Sequence, residues 1–93
     1  MGRVIGLGGL FLKCKDADAT KAWYRDVLGM AMNEWGGFDF IHKTSAEKFP
    51  TGARTIFSQF GDDTDYFAPS EQPFMLNLMV DDLDGVLATA EAA

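Results

Sequence analysis

The pattern of apolar and polar positions predicts a strand followed by a helix in the first thirty residues. Within residues 4–14, apolar side chains occupy every second position near the end of the segment, and this is the period of a strand with two unlike faces. The residues on the apolar face are Leu10, Leu12 and Cys14. After residue 16 the spacing becomes helical, and it predicts a buried stripe of Ala19, Trp23 and Val27.

Capping residues set both ends of this predicted helix. Asp16 and Asp18 both have carboxylates that can accept hydrogen bonds from the free amides of a first helical turn. Gly29 is the residue type that adopts the left-handed conformation at a helix end. We therefore expect a helix that begins near Asp16 and ends before Gly29.

The same strand-to-helix pattern occurs twice. A shift of 66 positions places Asp16 on Asp82 and Leu10 on Leu76. The second copy predicts a strand over residues 74–80, a cap at Asp82 or Asp84, and an Ala-rich helix that reaches the last residue. We expect a single domain, 1–93, with a first module (1–61), a connecting loop (62–73) and a truncated second module (74–93).

Three more strands are predicted in the first module, over residues 30–35, 38–43 and 54–60. Gly36-Gly37 between the first two is a common hairpin signal. Polar and turn-forming residues at 44–52 and 61–73 predict exposed loops. The fold class expected from these elements is α+β.

Composition limits the partners of the chain. The formal charge of −6 argues against nucleic acid and anionic membrane surfaces, which both require clustered Lys and Arg. Cys14 is the only cysteine, so we expect no disulfide, a buried thiol and a reducing compartment. No apolar run is long enough to span a bilayer, and the prediction is a cytoplasmic protein.

Several sequence stretches resemble the vicinal oxygen chelate superfamily, which includes glyoxalases, bleomycin-resistance proteins and extradiol dioxygenases. Asp16 followed by the run from Trp23 to Gly29 resembles the first module of that superfamily, and residues 80–84 resemble the start of its second module. Residues 35–37 and 63–74 resemble a bacterial branch of uncharacterised glyoxalase-like proteins.

This resemblance implies paired βαβββ modules, here one module and the β-α start of a second. Their mixed sheet would curl around a cleft, with the helices outside. The positions that carry metal ligands in such enzymes match Gly9 and Met75, neither of which suits a divalent ion of that class. On the last strand of the first module, Gln59 is the only plausible donor. We therefore expect no bound metal and no cofactor.

The predicted function is binding of a small apolar or cationic organic molecule in an aromatic and Met-lined cleft. Asn77 would orient the ligand. The residues predicted to bind it are Phe11, Trp35, Phe40, Phe57, Gln59, Met75, Asn77 and Met79.

Three alternatives stay open. One is a metal-dependent lyase or dioxygenase of the same superfamily, so enzymatic activity is undecided. Another is a dimerisation module without a ligand, because a second sheet with one strand has unpaired edges and favours a homodimer, including one with exchanged strands. The third is a fragment of a longer protein.

Overall fold

The computed structural model describes residues 1–93 and contains three helices, α1 (Ala17–Leu28), α2 (His42–Lys48) and α3 (Leu83–Ala92). The first helix begins where the sequence predicts. The carboxylate of Asp16 accepts a hydrogen bond of 3.0 Å from the backbone amide of Ala19. The helix ends at Gly29, whose φ of 68° is the left-handed conformation that glycine adopts without steric cost.

The third helix begins in the same way as the first. The carboxylate of Asp82 accepts a 3.0 Å hydrogen bond from the amide of Gly85, and Asp82 has the extended backbone of an N-cap residue. Both the caps and the first helical residues of α1 and α3 are 66 positions apart. The predicted repeat of an Asp-capped helix is therefore confirmed, and α1 and α3 are the two helices that contact each other.

The second helix corrects two predictions. Residues 38–43 were expected to form a strand and residues 44–52 a loop, yet α2 occupies 42–48. Its first turn closes with a 3.1 Å hydrogen bond from the Ser45 amide to the Ile41 carbonyl. It ends at Lys48, with Phe49 as its C-cap. Phe49 directly precedes Pro50, and proline disfavours the helical conformation in the residue before it.

The structure contains no β-sheet, so the predicted α+β class with a curled sheet is wrong. The only β-pairing is an isolated antiparallel bridge between Met32 and Phe38. The predicted turn between them is present, with a 2.8 Å hydrogen bond from the Asn33 amide to the Gly37 carbonyl and a φ of 82° at Gly36. Alternating residues give a segment two unlike faces, but a strand also requires a neighbouring strand to pair with.

The chain lacks a buried core. None of the 93 residues is buried, and the accessible surface is 8752 Å². A compact monomer of this mass exposes roughly 5,300 Å². The expected buried stripe on α1 is wrong, since Ala19 and Trp23 are exposed and Val27 is half-buried. Cys14, expected to be buried, is exposed as a free thiol.

Backbone hydrogen bonding is correspondingly incomplete. The chain has 30 backbone–backbone hydrogen bonds. A folded chain of this length has about 60, because such bonds are about two-thirds of roughly one hydrogen bond per residue. The radius of gyration is 15.3 Å, against about 12 Å for a compact domain of this length. The helices are therefore joined largely by segments that form neither helix nor strand and that have unpaired backbone groups.

Candidate association surface

The side chains predicted to bind a small molecule all lie at the surface. Phe11 is 93% exposed and Trp35 is 87% exposed. The close aromatic pairs in the structure include none of the predicted ligand-binding aromatics. The assignment of these side chains to a ligand stays a prediction. The eight exposed residues are Phe11, Trp35, Phe40, Phe57, Gln59, Met75, Asn77 and Met79.

One of these residues, Met79, lines a shallow depression together with Phe49, Gly52 and Val80. The depression has a volume of about 230 Å³, below the roughly 300–1,000 Å³ typical of small-molecule pockets. It brings the thioether of Met79 to the end of α2. The sequence contains no signal that connects these two regions, and residues 44–52 were predicted to form a loop.

A cluster of three aromatic side chains was not anticipated from the sequence. The rings of Phe60 and Tyr66 stack with centroids 5.4 Å apart, and Phe67 meets Phe60 edge-on at 5.2 Å. The turn that joins them is closed by a 3.1 Å hydrogen bond from the Thr64 amide to the Gly61 carbonyl. Aromatic residues on both sides of a Gly- and Asp-rich turn were the signal that could have revealed this cluster.

A second aromatic group connects α1 to the hairpin turn. Trp23 and Tyr24 meet edge-on with ring centroids 5.2 Å apart, and Tyr24 lies 6.4 Å from Phe38. Trp23 was expected to belong to the buried stripe of α1. Trp23 is 47% exposed and Tyr24 is half-buried, so this group covers one side of α1 only in part.

A groove of about 440 Å³, larger than the shallow depression, lies between the end of α1 and the start of α3, and we call it the helix groove. Its apolar side chains come from both helices, and carboxylates stand beside them. The lining residues are Asp26, Val27, Leu28, Gly29, Asp81, Asp82, Gly85, Val86 and Thr89. Asp82 is occupied in capping α3, and Asp26 is paired with Arg25, so Asp81 is the carboxylate of the groove that has no partner in the chain.

Asp26 forms an ion pair with its neighbour in the chain. The Arg25 guanidinium donates two hydrogen bonds to its carboxylate, of 2.7 Å and 3.1 Å. These hydrogen bonds lower the pKa of Asp26 below its usual value and raise the pKa of Arg25. Both side chains are well exposed, so the pair fixes a charged side chain at the rim of the groove without adding much stability.

Charge is divided unequally along the chain. Residues 1–15, which we call the N-terminal arm, contain Arg3, Lys13 and Lys15 and no Asp or Glu. Residues 61–93 contain eight Asp and Glu residues and no Lys or Arg. The arm therefore has a positive charge in a chain whose net charge is −6, and its apolar side chains are exposed.

No group of three or more His, Cys, Asp or Glu side chains is placed to hold a metal ion. His42, the single histidine, is the exposed first residue of α2. None of the three helices combines the length and the apolar character required to cross a membrane.

Comparisons with protein-family models, with curated proteins and with solved structures find no match to this chain. The predicted membership of the vicinal oxygen chelate superfamily is therefore wrong. The glyoxalase-like, bleomycin-resistance and dioxygenase assignments are wrong as well, because the structure lacks the sheet that defines that fold. Short motifs around Trp23 and Asp82 were the basis of the resemblance, and they are also what a capped helix requires locally.

Proposed function

We propose that this chain is a self-association module whose apolar core forms between two copies. The observation that supports the proposal is the absence of any buried residue in a chain that is 47% apolar. Apolar burial is the dominant favourable contribution to folding, and it must offset the conformational entropy of the chain. A single copy with this surface has little to offset that entropy, whereas association supplies the missing burial.

The exposed area is sufficient for a stable dimer. The surface of 8752 Å² exceeds that of a compact monomer by about 3,400 Å². Obligate homodimer interfaces bury roughly 2,000–5,000 Å² in total over both partners, so the excess on one chain already matches such an interface. Large apolar patches on a monomer are also unusual, since they commonly mark interaction sites.

Unpaired backbone groups support the same proposal. The segments 4–14, 54–60 and 74–80 form no helix and no strand, and none of them pairs with another segment of the chain. Their free amide and carbonyl groups can pair with those of a second chain. An exchange of such segments about a two-fold axis would satisfy both copies equally.

The oligomeric state tests this proposal directly. We expect sedimentation equilibrium to give a dimer, and we expect helical circular dichroism and the thermal midpoint to rise with protein concentration. A folded monomer at micromolar concentration, with a midpoint independent of concentration, would contradict the proposal.

A pair of variants separates apolar burial from charge. Ile56 and Phe57 are adjacent apolar residues with exposed side chains in the unpaired segment 54–60, and the proposal predicts that a partner covers them. We expect Ile56→Asp with Phe57→Asp to weaken dimerisation by at least about tenfold, since each loses an apolar contact. Thr55→Asp with Ser58→Asp introduces the same charge in the same segment. Equal weakening by this control would assign the effect to repulsion instead.

Binding of a small apolar or cationic molecule is a second proposal, supported by the accessible Met79 and Phe49 at the shallow depression. Benzyltrimethylammonium is a suitable probe because it presents both a ring and a cation. We expect it to shift the methyl resonance of Met79 and to leave that of Met32 unchanged. Equal shifts at both methyl groups, or none, would contradict a site at Met79.

The cytoplasmic location also stays a proposal. Its support is the single free thiol of Cys14, because an exposed thiol without a disulfide partner suits a reducing compartment.

A further inference from the structure

We infer that the N-terminal arm of one copy occupies the helix groove of a second copy, and that the exchange is reciprocal. This inference rests on the proposed self-association and names the surfaces that meet. It assigns a partner to the groove between α1 and α3, whose apolar lining is left open in the single chain.

The groove has the chemistry to bind a basic, apolar segment. Val27, Leu28 and Val86 provide apolar surface, and Asp26 and Asp81 stand beside it. No Lys or Arg is among its lining residues; the Arg25 guanidinium pairs with Asp26 at the rim, and Asp81 has no partner, so the acidic residues outnumber the cations around the groove. A segment that fits this groove has apolar side chains together with Lys or Arg at its edges, because complementary charge favours the correct partner and repels wrong ones.

The arm is the segment of this chain with that composition. It has three cations and no carboxylate, and no other segment of its length combines these properties. Its apolar residues Val4, Ile5 and Leu7 are all exposed, with Val4 at 91% and Ile5 at 93%. The arm forms no helix or strand within its own chain, so its backbone is free to adapt to the groove.

A second copy is the occupant we infer, because the arm leaves the groove of its own chain open. The arm joins α1 at its first turn, and the groove lies at the last turn of α1, about 18 Å away along the helix. None of the arm residues lines the groove of its own chain. A reciprocal exchange closes with two-fold symmetry and fills both grooves, which limits assembly to a dimer.

Net charge alone predicts the opposite change in association from the one that the inference predicts, so reversing charges in the groove tests the inference. Two chains of charge −6 repel each other, so replacing acidic residues with lysine should strengthen association if net charge alone decides. If the arm binds the groove, Asp26→Lys with Asp81→Lys weakens association although it reduces the net charge.

The experiment uses two double variants of the full chain, each measured alone and after mixing. The groove variant is Asp26→Lys with Asp81→Lys, and the arm variant is Arg3→Glu with Lys13→Glu. We expect each to raise the dimer dissociation constant at least about tenfold, from two reversed contacts per copy. Mixed in equal amounts, they should form a heterodimer within about threefold of the wild-type constant, since one pairing is the wild-type one and the other joins the reversed arm to the reversed groove, again with opposite charges.

Matched controls carry the same changes in charge at other sites. Asp62→Lys with Asp63→Lys reverses two carboxylates outside the groove, and Lys43→Glu with Arg54→Glu reverses two cations outside the arm. We expect the dimer dissociation constant of each control to be the same alone and after mixing with the other control. Circular dichroism of every variant checks that α1 and α3 remain helical.

Three outcomes would overturn the inference. Unchanged dimerisation of the groove variant excludes the groove as the contact. Loss of dimerisation that mixing does not restore excludes pairing between arm and groove in different chains, as would occur if each arm bound its own groove. Tighter dimerisation of the groove variant shows that net charge decides. In each case the proposed self-association still holds if the wild type is a dimer. If the wild type is a folded monomer, the proposed self-association is contradicted as well.

Discussion

The two copies of the Asp-capped helix begin alike and differ beyond their first turns. Asp16 and Asp82 each accept a hydrogen bond from the amide three residues later. Further along, Arg25 of α1 corresponds to Glu91 of α3, so the two helices carry opposite charges at equivalent positions. The helix start is therefore the feature that the two copies share.

The segments before the two helices differ in charge. Neither forms a helix or a strand, and the shift of 66 places Lys13 on Met79 and Lys15 on Asp81. Two equivalent segments have thus become unlike in charge, one basic and one acidic. Unlike copies can bind each other without self-pairing of equivalent segments, which is the condition that the proposed arm exchange requires.

The largest expected effect concerns the end of α1. Gly29→Ala places a Cβ at a φ of 68°, and we expect a loss of about 1–2 kcal/mol in the free energy of unfolding. Urea unfolding at fixed protein concentration measures this loss. Gly52→Ala is the matched control, because Gly52 has open space around it and no positive φ. An equal loss in both variants would refute the role of the left-handed residue.

The next effect tests whether the two caps are equivalent. Asp16→Ala and Asp82→Ala each remove a carboxylate that accepts from a free amide, and we expect each to cost about 1 kcal/mol. Helical circular dichroism during urea unfolding follows both variants. Asp18→Ala serves as the comparison, since Asp18 lies in the first turn without a capping bond and should cost less. A loss confined to Asp16→Ala would show that the copies differ at their starts.

A smaller effect, of opposite sign, is expected at Gly85. This residue corresponds to Ala19 of the first copy, where a Cβ coexists with the capping bond of 3.0 Å. In the present side-chain position of Asp82, a Cβ at Gly85 would overlap the carboxylate oxygen Oδ2, so that carboxylate must turn. We expect Gly85→Ala to stabilise the chain by about 0.5–1 kcal/mol, since alanine favours the helix.

Thermal unfolding at one protein concentration measures the effect of Gly85→Ala. Gly37→Ala is a control outside any helix and should give no such gain. Destabilisation by Gly85→Ala would mean that the cap of the second copy, unlike that of the first, requires a glycine.

The smallest effect is the pH dependence of the Arg25–Asp26 pair, which the second copy lacks. Arg25 lowers the pKa of Asp26 through hydrogen bonds. The contribution of Asp26 to stability is therefore fully present above its unfolded pKa of about 4, and it is lost as the pH falls through the lower, folded value. A titration of the Asp26 carboxyl carbon by NMR should give a lower midpoint in wild type than in Arg25→Gln. Equal midpoints would contradict the pairing.

The sequence predicts those parts of the fold that depend on neighbouring residues. The caps at Asp16 and Asp82, the left-handed Gly29 and the turn at Gly36 are all local signals, and the structure contains each of them. The helix α2 was also within reach, because Pro50 follows its end and could have indicated a stop.

The predicted sheet failed because pairing is not a local property. Alternation in residues 4–14 and 74–80 predicts that each segment has an apolar and a polar face, but it does not indicate which other segment would pair with it. The candidate site has the same limit. Met79 and Phe49 meet across thirty residues, and the helix groove joins the end of α1 to the start of α3. Neither could be read from spacing, although the charges on both sides of the proposed exchange are plain in the sequence.

The unequal division of charge also determines how the chain is cut by a protease. Trypsin cleaves after Lys and Arg, and all eight such residues lie between Arg3 and Arg54. Cleavage after exposed Lys15 removes the arm, and cleavage after exposed Arg54 releases residues 55–93, which contain no further site. Digestion therefore separates the two copies of the repeat and yields α3, its cap and the aromatic cluster as one intact peptide.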